Sequence, residues 1–328
     1  MGINEIFMKR YYTLLAVLCG VIGLSTQFVS AQHKNFYVKP SFGTFLTATP
    51  GEFPNVGSSQ PRETMISVNA STGAQTVVSE KTLTGSFGSG ARTSVTFGWN
   101  LKKGVAFEVG ATYFNGDSQT MMKKTATIAG TSTMVLSVES MGKAKAVELA
   151  PALVAELPFL HKIKPYTRVG LILPVYGDLT VTSKVSDLTG AVAATVNPNF
   201  KAVELTRTEK ISPNPTIGFI SGLGLNIPVT PHLGITAELE YRSTPVRSKS
   251  KEITAFSATG KLANGTAVPV SLTDLPNYAK NVNYVEELNA TSNVYGNTGF
   301  DATKPGNELT SYINIGGLGT VIGIKWTF

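Results

Sequence analysis

Ten ionisable side chains recur at alternate positions inside otherwise apolar segments of this chain. They are Lys39, Arg92, Arg168, Arg242 and Lys325 on one side of the balance and Glu108, Glu148, Glu156, Glu238 and Glu240 on the other. Groups in such settings can do three things. Two carboxylates can work as an acid and a base, a line of charges can pass ions, or opposite charges held out of water can neutralise one another. Five of each sign favour the last. A lone buried charge costs several kcal/mol, whereas a hydrogen-bonded network is tolerated.

Nucleophilic chemistry is poorly supplied. There are three histidines, His33, His161 and His232, and a serine without a nearby base is a weak nucleophile. His33 stands beside the expected mature N-terminus, and His161 and His232 fall in short connections. No acidic run has the spacing of an ordered calcium loop. Cys19 is the only cysteine, so neither a disulfide framework nor a thiolate metal set can form. The sequence thus predicts no catalytic residue, no metal and no cofactor. Twenty-eight Lys and Arg against 21 Asp and Glu give a net charge of +7, which suits anionic lipid. No basic cluster alternates with aromatics along one element, which excludes nucleic acid as a partner. The triplets at Asn69, Asn264 and Asn289 match the glycosylation pattern, but a three-residue match of this kind arises readily by chance.

The elements that must position these charges are strands. Charged residues are 15% of the chain, against about 25% in an average soluble domain, and glycines number 32. In residues 312–328, Leu318, Thr320, Ile322, Ile324, Trp326 and Phe328 alternate with Gly317, Gly319, Val321, Gly323, Lys325 and Thr327. Period two places one set on each face of a strand. The same alternation runs through residues 36–46, 91–100, 105–113, 143–157, 166–176, 217–227 and 235–242, with the ten charges always on the less apolar face. Eight strands result. The connections between them alternate long and short, the short ones near residues 101–104, 158–164 and 228–234.

At the N-terminus, Lys9 and Arg10 precede the apolar run 14–24, and Val29-Ser30-Ala31 ends it with small residues. This is the pattern of a cleaved export signal over residues 1–31. Lipid attachment at Cys19 would need a small residue where Leu18 stands. The run is short for a spanning helix, and nothing later reaches 18 unbroken apolar residues, so any spanning is by strands.

Alternation, export signal, loop asymmetry and the aromatic end of the last strand together resemble the small OmpA/OmpX-type outer-membrane barrels of Gram-negative bacteria. The resemblance covers residues 32–328 and is sharpest in the last strand. It implies an all-β fold, a transmembrane antiparallel up-and-down β-barrel of eight strands with long extracellular hairpin loops. Ten or twelve strands would follow if hairpins inside the long segments entered the membrane. Both termini are then periplasmic, with two aromatic girdles. Tyr113, Tyr176, Tyr241 and Tyr312 mark the long-loop rim, and Phe36, Trp99, Tyr166 and Phe328 the short-turn rim. Gly323, Trp326 and Phe328 match the signal read by the barrel assembly machinery.

The long segments carry β-rich runs with Gly73, Gly130, Gly190 and Asn264-Gly265 near their centres. These are hairpin signals, read as strands continuing beyond the bilayer. Lys143 and Lys145 share the parity of Val147 and Leu149 and are candidate contacts to outer-membrane lipid and lipopolysaccharide. The expected function is a non-catalytic barrel that displays loops for binding, adhesion or shielding, with an extracellular protein or glycan as ligand. The alternative is a passive porin-like channel for small solutes.

Overall fold

The structure, a computed structural model, describes residues 36–328 except Thr49, Ser58 and residues 158–162. The export signal over residues 1–31, His33 and His161 lie outside the described residues. Eight strands form a closed barrel: β1 (Phe36–Leu46), β2 (Gly90–Lys102), β3 (Val105–Gly116), β4 (Met134–Glu156), β5 (Lys164–Asp187), β6 (Gly218–Pro228), β7 (Leu233–Ser243) and β8 (Gly317–Thr327). Each pairs antiparallel with its neighbours in the chain. The ring closes where β1 meets β8, with Val38 opposite Trp326 and Leu46 opposite Leu318. Closure removes both sheet edges at once.

Parity sorts the side chains as the alternation requires. Leu153, Leu223 and Ile322 are 56%, 67% and 66% exposed on the outer face, although large and apolar. A surface of that kind is stable only against lipid. Among the described residues no helix is long and apolar enough to cross a bilayer. Tyr113, Val147 and Tyr176 lie in one cross-strand row at the long-loop end. At the other rim Phe36 stacks on Phe97 and Trp99, with centroids 5.8 and 6.2 Å apart. Tyr166 does not belong to that girdle. Its even parity on β5 turns it into the lumen, where it is 5% exposed, because a one-residue step reverses the face.

β4 and β5 begin and end far beyond the expected segments, at Met134 and Asp187. β4 has 23 residues, about a dozen more than the 9–11 that cross a bilayer. The excess alternates inward Leu136, Val138 and Ser140 with outward Glu139 and Met141, a pattern that suits a water-exposed strand as well as a lipid-exposed one. Further strands add to this projecting pair. On the β4 side lie Gln119–Ile128, Arg62–Val68 and then Gln75–Thr82. On the β5 side lie Phe200–Pro215 and Pro245–Leu262, followed by Ala267–Ser271 and Asn281–Val285. The four long segments therefore build one sheet that continues the barrel wall. Its turns use positive φ at Gly73, Gly130, Gly190 and Gly265, values that glycine adopts without strain. Asn69, Asn264 and Asn289 accept backbone N–H bonds two residues on, so these triplets act as turn formers.

Two contacts depart from a hairpin-only reading. Arg62–Val68 runs parallel to Gln119–Ile128, and Asn281–Val285 runs parallel to Gly306–Leu309. In each case a segment distant in sequence lays itself beside an exposed edge, which no local turn signal encodes.

Candidate functional site

The inward positions of seven strands build a charge network along the barrel axis. Near the short-turn rim Lys325 Nζ donates to Glu156 Oε1 at 3.2 Å. Above it Lys39 Nζ donates to both oxygens of Glu108, at 2.9 and 3.2 Å, and Tyr37 Oη donates to the same carboxylate at 2.7 Å. Arg168 reaches Glu108 at 4.0 Å and donates to Glu238 Oε1 through Nε at 2.9 Å and Nη2 at 2.6 Å. Tyr166 Oη donates to the other oxygen of Glu238 at 2.8 Å. Glu240 accepts from both Arg168 and Arg242. Arg242 continues to Glu148 at 2.5 Å, and Arg92 meets the same Glu148 oxygen at 3.0 Å. All ten expected lumen charges thus face inward and pair with one another. Eight of them are buried, while Glu156 and Lys325 at the rim keep partial exposure.

Why the barrel can hold so much charge is visible in its glycines. Tyr37 lies opposite Gly98 and Tyr166 opposite Gly224. A Cβ on Gly98 would stand 2.1 Å from the Tyr37 ring, and one on Gly224 2.3 Å from the Tyr166 ring. The rings lie flat across these bare positions and aim their hydroxyls at the carboxylates. Phe45 lies across Gly319 in the same way. Sequence reasoning missed both tyrosines as members of the network. The available signal was an aromatic on the inward parity of a strand whose neighbour carries glycine at the facing position.

A second layer closes the network towards the long loops. The Arg92 guanidinium lies 3.9 Å from the centre of the Phe114 ring and 5.0 Å from that of Phe45, and donates to the Ile315 carbonyl. Past it Phe53, Phe87, Phe114, Met121, Leu136, Val181 and Ile315 form one buried apolar cluster. That cap was not foreseen, because its residues come from separate stretches of chain between positions 53 and 315.

The other expected site residues are placed as follows. Gly323 sits where a Cβ would be 2.8 Å from Thr236 Oγ1 and 3.0 Å from the Pro40 carbonyl, so close packing alone explains the glycine. Trp326 and Phe328 face outward at the short-turn rim, 51% and 62% exposed, and the Phe328 N–H bonds to the Phe36 carbonyl. Lys145 and Lys143 face outward on β4, one and two outward rows beyond the Val147 row. His232 lies in the β6–β7 turn with Nδ1 3.0 Å from the Thr327 carbonyl oxygen.

No family model and no curated protein matches the chain. Among solved structures it is similar to the outer membrane protein OprG from Pseudomonas aeruginosa, at 10% identity, over 90% of this chain and 95% of that one, with a TM-score of 0.34. Neisserial surface protein A gives 12% identity over 89% and 97%, with a TM-score of 0.29. The outer membrane protease OmpT from Escherichia coli gives 11% over 92% and 100%, at 0.28. The closed register, the lipid-facing outer surface and the neutralised interior are those of a membrane-spanning barrel. The chain is an eight-stranded outer-membrane β-barrel that resembles the small OmpA/OmpX type.

Proposed function

We propose that this barrel is a non-catalytic anchor that holds a rigid sheet above the outer membrane for binding, adhesion or shielding. One observation carries the reading: the lumen is crossed by a self-neutralising charge network and then covered by an apolar cap. An eight-stranded barrel has an interior just wide enough to be filled by side chains. Here the filling is cross-linked between strands, so an ion would have to break buried pairs to pass. The outer sheet has two apolar clusters of its own, one around Phe87 and one around Phe200, which gives it the packing of a small domain. His232, the one histidine among the described residues, lies at the rim opposite this sheet, away from any surface-displayed serine.

Planar-bilayer recording of the purified protein tests the reading. The expected outcome is an absence of large, stable unit currents. Stable unit currents would overturn it in favour of a passive pore for small solutes.

A further inference from the structure

Immediately beyond the row of Tyr113, Val147 and Tyr176, the outer surface of β4 and β5 changes from apolar to basic. The next row outward sets Asn115, Lys145 and Asp178 side by side, and the one after it Lys143, Thr180 and Lys210. Two rows further, Glu139 faces Lys184 across the ladder. Between the strands runs a groove of about 350 Å³ lined by Lys143, Lys145, Lys184, Glu139, Thr180 and Thr182. Three lysines against one glutamate make it cationic.

Asp178, the carboxylate beside the groove, is engaged elsewhere, which leaves Glu139 as the groove's one acidic side chain. Asp178, the cross-strand neighbour of Lys145, pairs with Lys210 on its other side at 3.3 Å. Lys123, which flanks Glu139 from the opposite strand, pairs away to Glu63 at 3.3 Å. Among the described residues Lys143, Lys145 and Lys184 form no ion pair. The ammonium groups of Lys145 and Lys143, with threonine hydroxyls beside them, stand one and two outward rows above a tyrosine row that marks the edge of an apolar belt, and Lys184 stands two rows further out. The groups that occur at that depth and carry dense negative charge are lipid phosphates.

We infer that this groove holds the phosphorylated headgroup of a lipopolysaccharide in the outer leaflet. Its acyl chains would lie along Val147, Leu149, Leu171 and Leu173, and its phosphates would meet the lysines, which act as point charges. The inference rests on the long-loop rim facing outward and is independent of the closed lumen, so a conducting barrel would leave it standing.

Binding to the purified full-length barrel in detergent, read by native mass spectrometry, tests it. The probes are diphosphoryl lipid A, its phosphatase-treated counterpart, phosphatidylglycerol and inorganic phosphate. Diphosphoryl lipid A should bind at least tenfold more tightly than the dephosphorylated form, with the difference shrinking at high salt as exposed charges are screened. Lys143→Gln/Lys145→Gln/Lys184→Gln should remove that preference, Lys102→Gln/Lys103→Gln at the opposite rim should keep it, and Glu139→Gln should raise it. Heat-modifiable gel migration checks that each variant is folded, and the wild-type comparison decides the matter even if the triple variant is not. Equal binding of the two lipid A forms would overturn the inference. So would unchanged preference in the triple variant, equal affinity for phosphatidylglycerol, or displacement of lipid A by inorganic phosphate at matched phosphate concentration.

Discussion

Glu108 shows how the interior is specified side chain by side chain. Its two oxygens take Lys39, Tyr37 and the fringe of Arg168. Glu108→Gln keeps the shape and removes the charge, which leaves Lys39 buried beside an amide. Breaking one side of a buried pair costs about 3–5 kcal/mol, so urea unfolding in detergent should show a loss of that size. Tyr37→Phe removes only one hydrogen bond to a carboxylate, about 1.5–3 kcal/mol. Gly98→Ala should act through the same site, since its Cβ would press on the Tyr37 ring and lift the hydroxyl from Glu108. Double substitution of Gly98 and Tyr37 should therefore be markedly less than additive.

At the level of elements, the short helix Ala193–Val196 is tied to the end of β5 by one side chain. Asp187 is buried and accepts from Thr189 Oγ1 at 2.6 Å and from the N–H groups of Thr189, Val192 and Ala193 at 2.7, 2.7 and 2.9 Å. Burial pushes its carboxyl up, but these hydrogen bonds outweigh burial and hold it below the ordinary range. Because the folded value is depressed, Asp187 contributes stability that is fully present above about pH 3.9, the unfolded value. That stability is lost as pH falls through the lower folded value. Asp301, which accepts from the side chain and N–H of Thr303, is likewise pulled down, to about 2. Protection factors against hydrogen exchange at Val192 and Ala193 should thus fall on acidification below pH 4, and Asp187→Asn should lower them already at neutral pH. Unchanged protection at Ala193 in that variant would show that the tie is not what orders the helix. In the cap, Phe87→Ala should cost about 3–5 kcal/mol as a large buried ring leaves a cavity. The outer sheet should become protease-sensitive while the barrel beneath resists.

For the whole molecule, assembly is the demanding step, since β8 must close against β1. Deleting Phe328 removes an outward aromatic and the N–H that reaches Phe36. If Gly323, Trp326 and Phe328 form the assembly signal, the truncated chain should accumulate in the periplasm and be degraded, yet fold slowly into detergent in vitro. Lys325→Ala, which breaks a partly exposed pair with Glu156, should assemble with a far milder defect. Fractionation and immunoblotting separate these outcomes, and wild-type outer-membrane levels of the truncated chain would count against the signal. The Phe87→Ala barrel should also remain non-conducting, because the charge network below the cap is intact.

What the sequence determined by itself is whatever repeats with a local period. Alternation named eight strands, assigned all ten charges to the inward face, and marked the hairpin turns at Gly73, Gly130, Gly190 and Gly265. Each of these is decided within a few residues by which side of a pleated backbone a side chain leaves. The tertiary structure alone decided which distant residues meet. It brought Tyr166 onto Glu238, and it set Phe87 and Phe114 over Arg92. It also laid Arg62–Val68 parallel beside Gln119–Ile128, and carried β4 and β5 on past the membrane as the spine of an outer sheet. Those outcomes depend on register and on edges left open by other segments. A period-two pattern fixes the face of a residue but carries no information about its partner on the next strand.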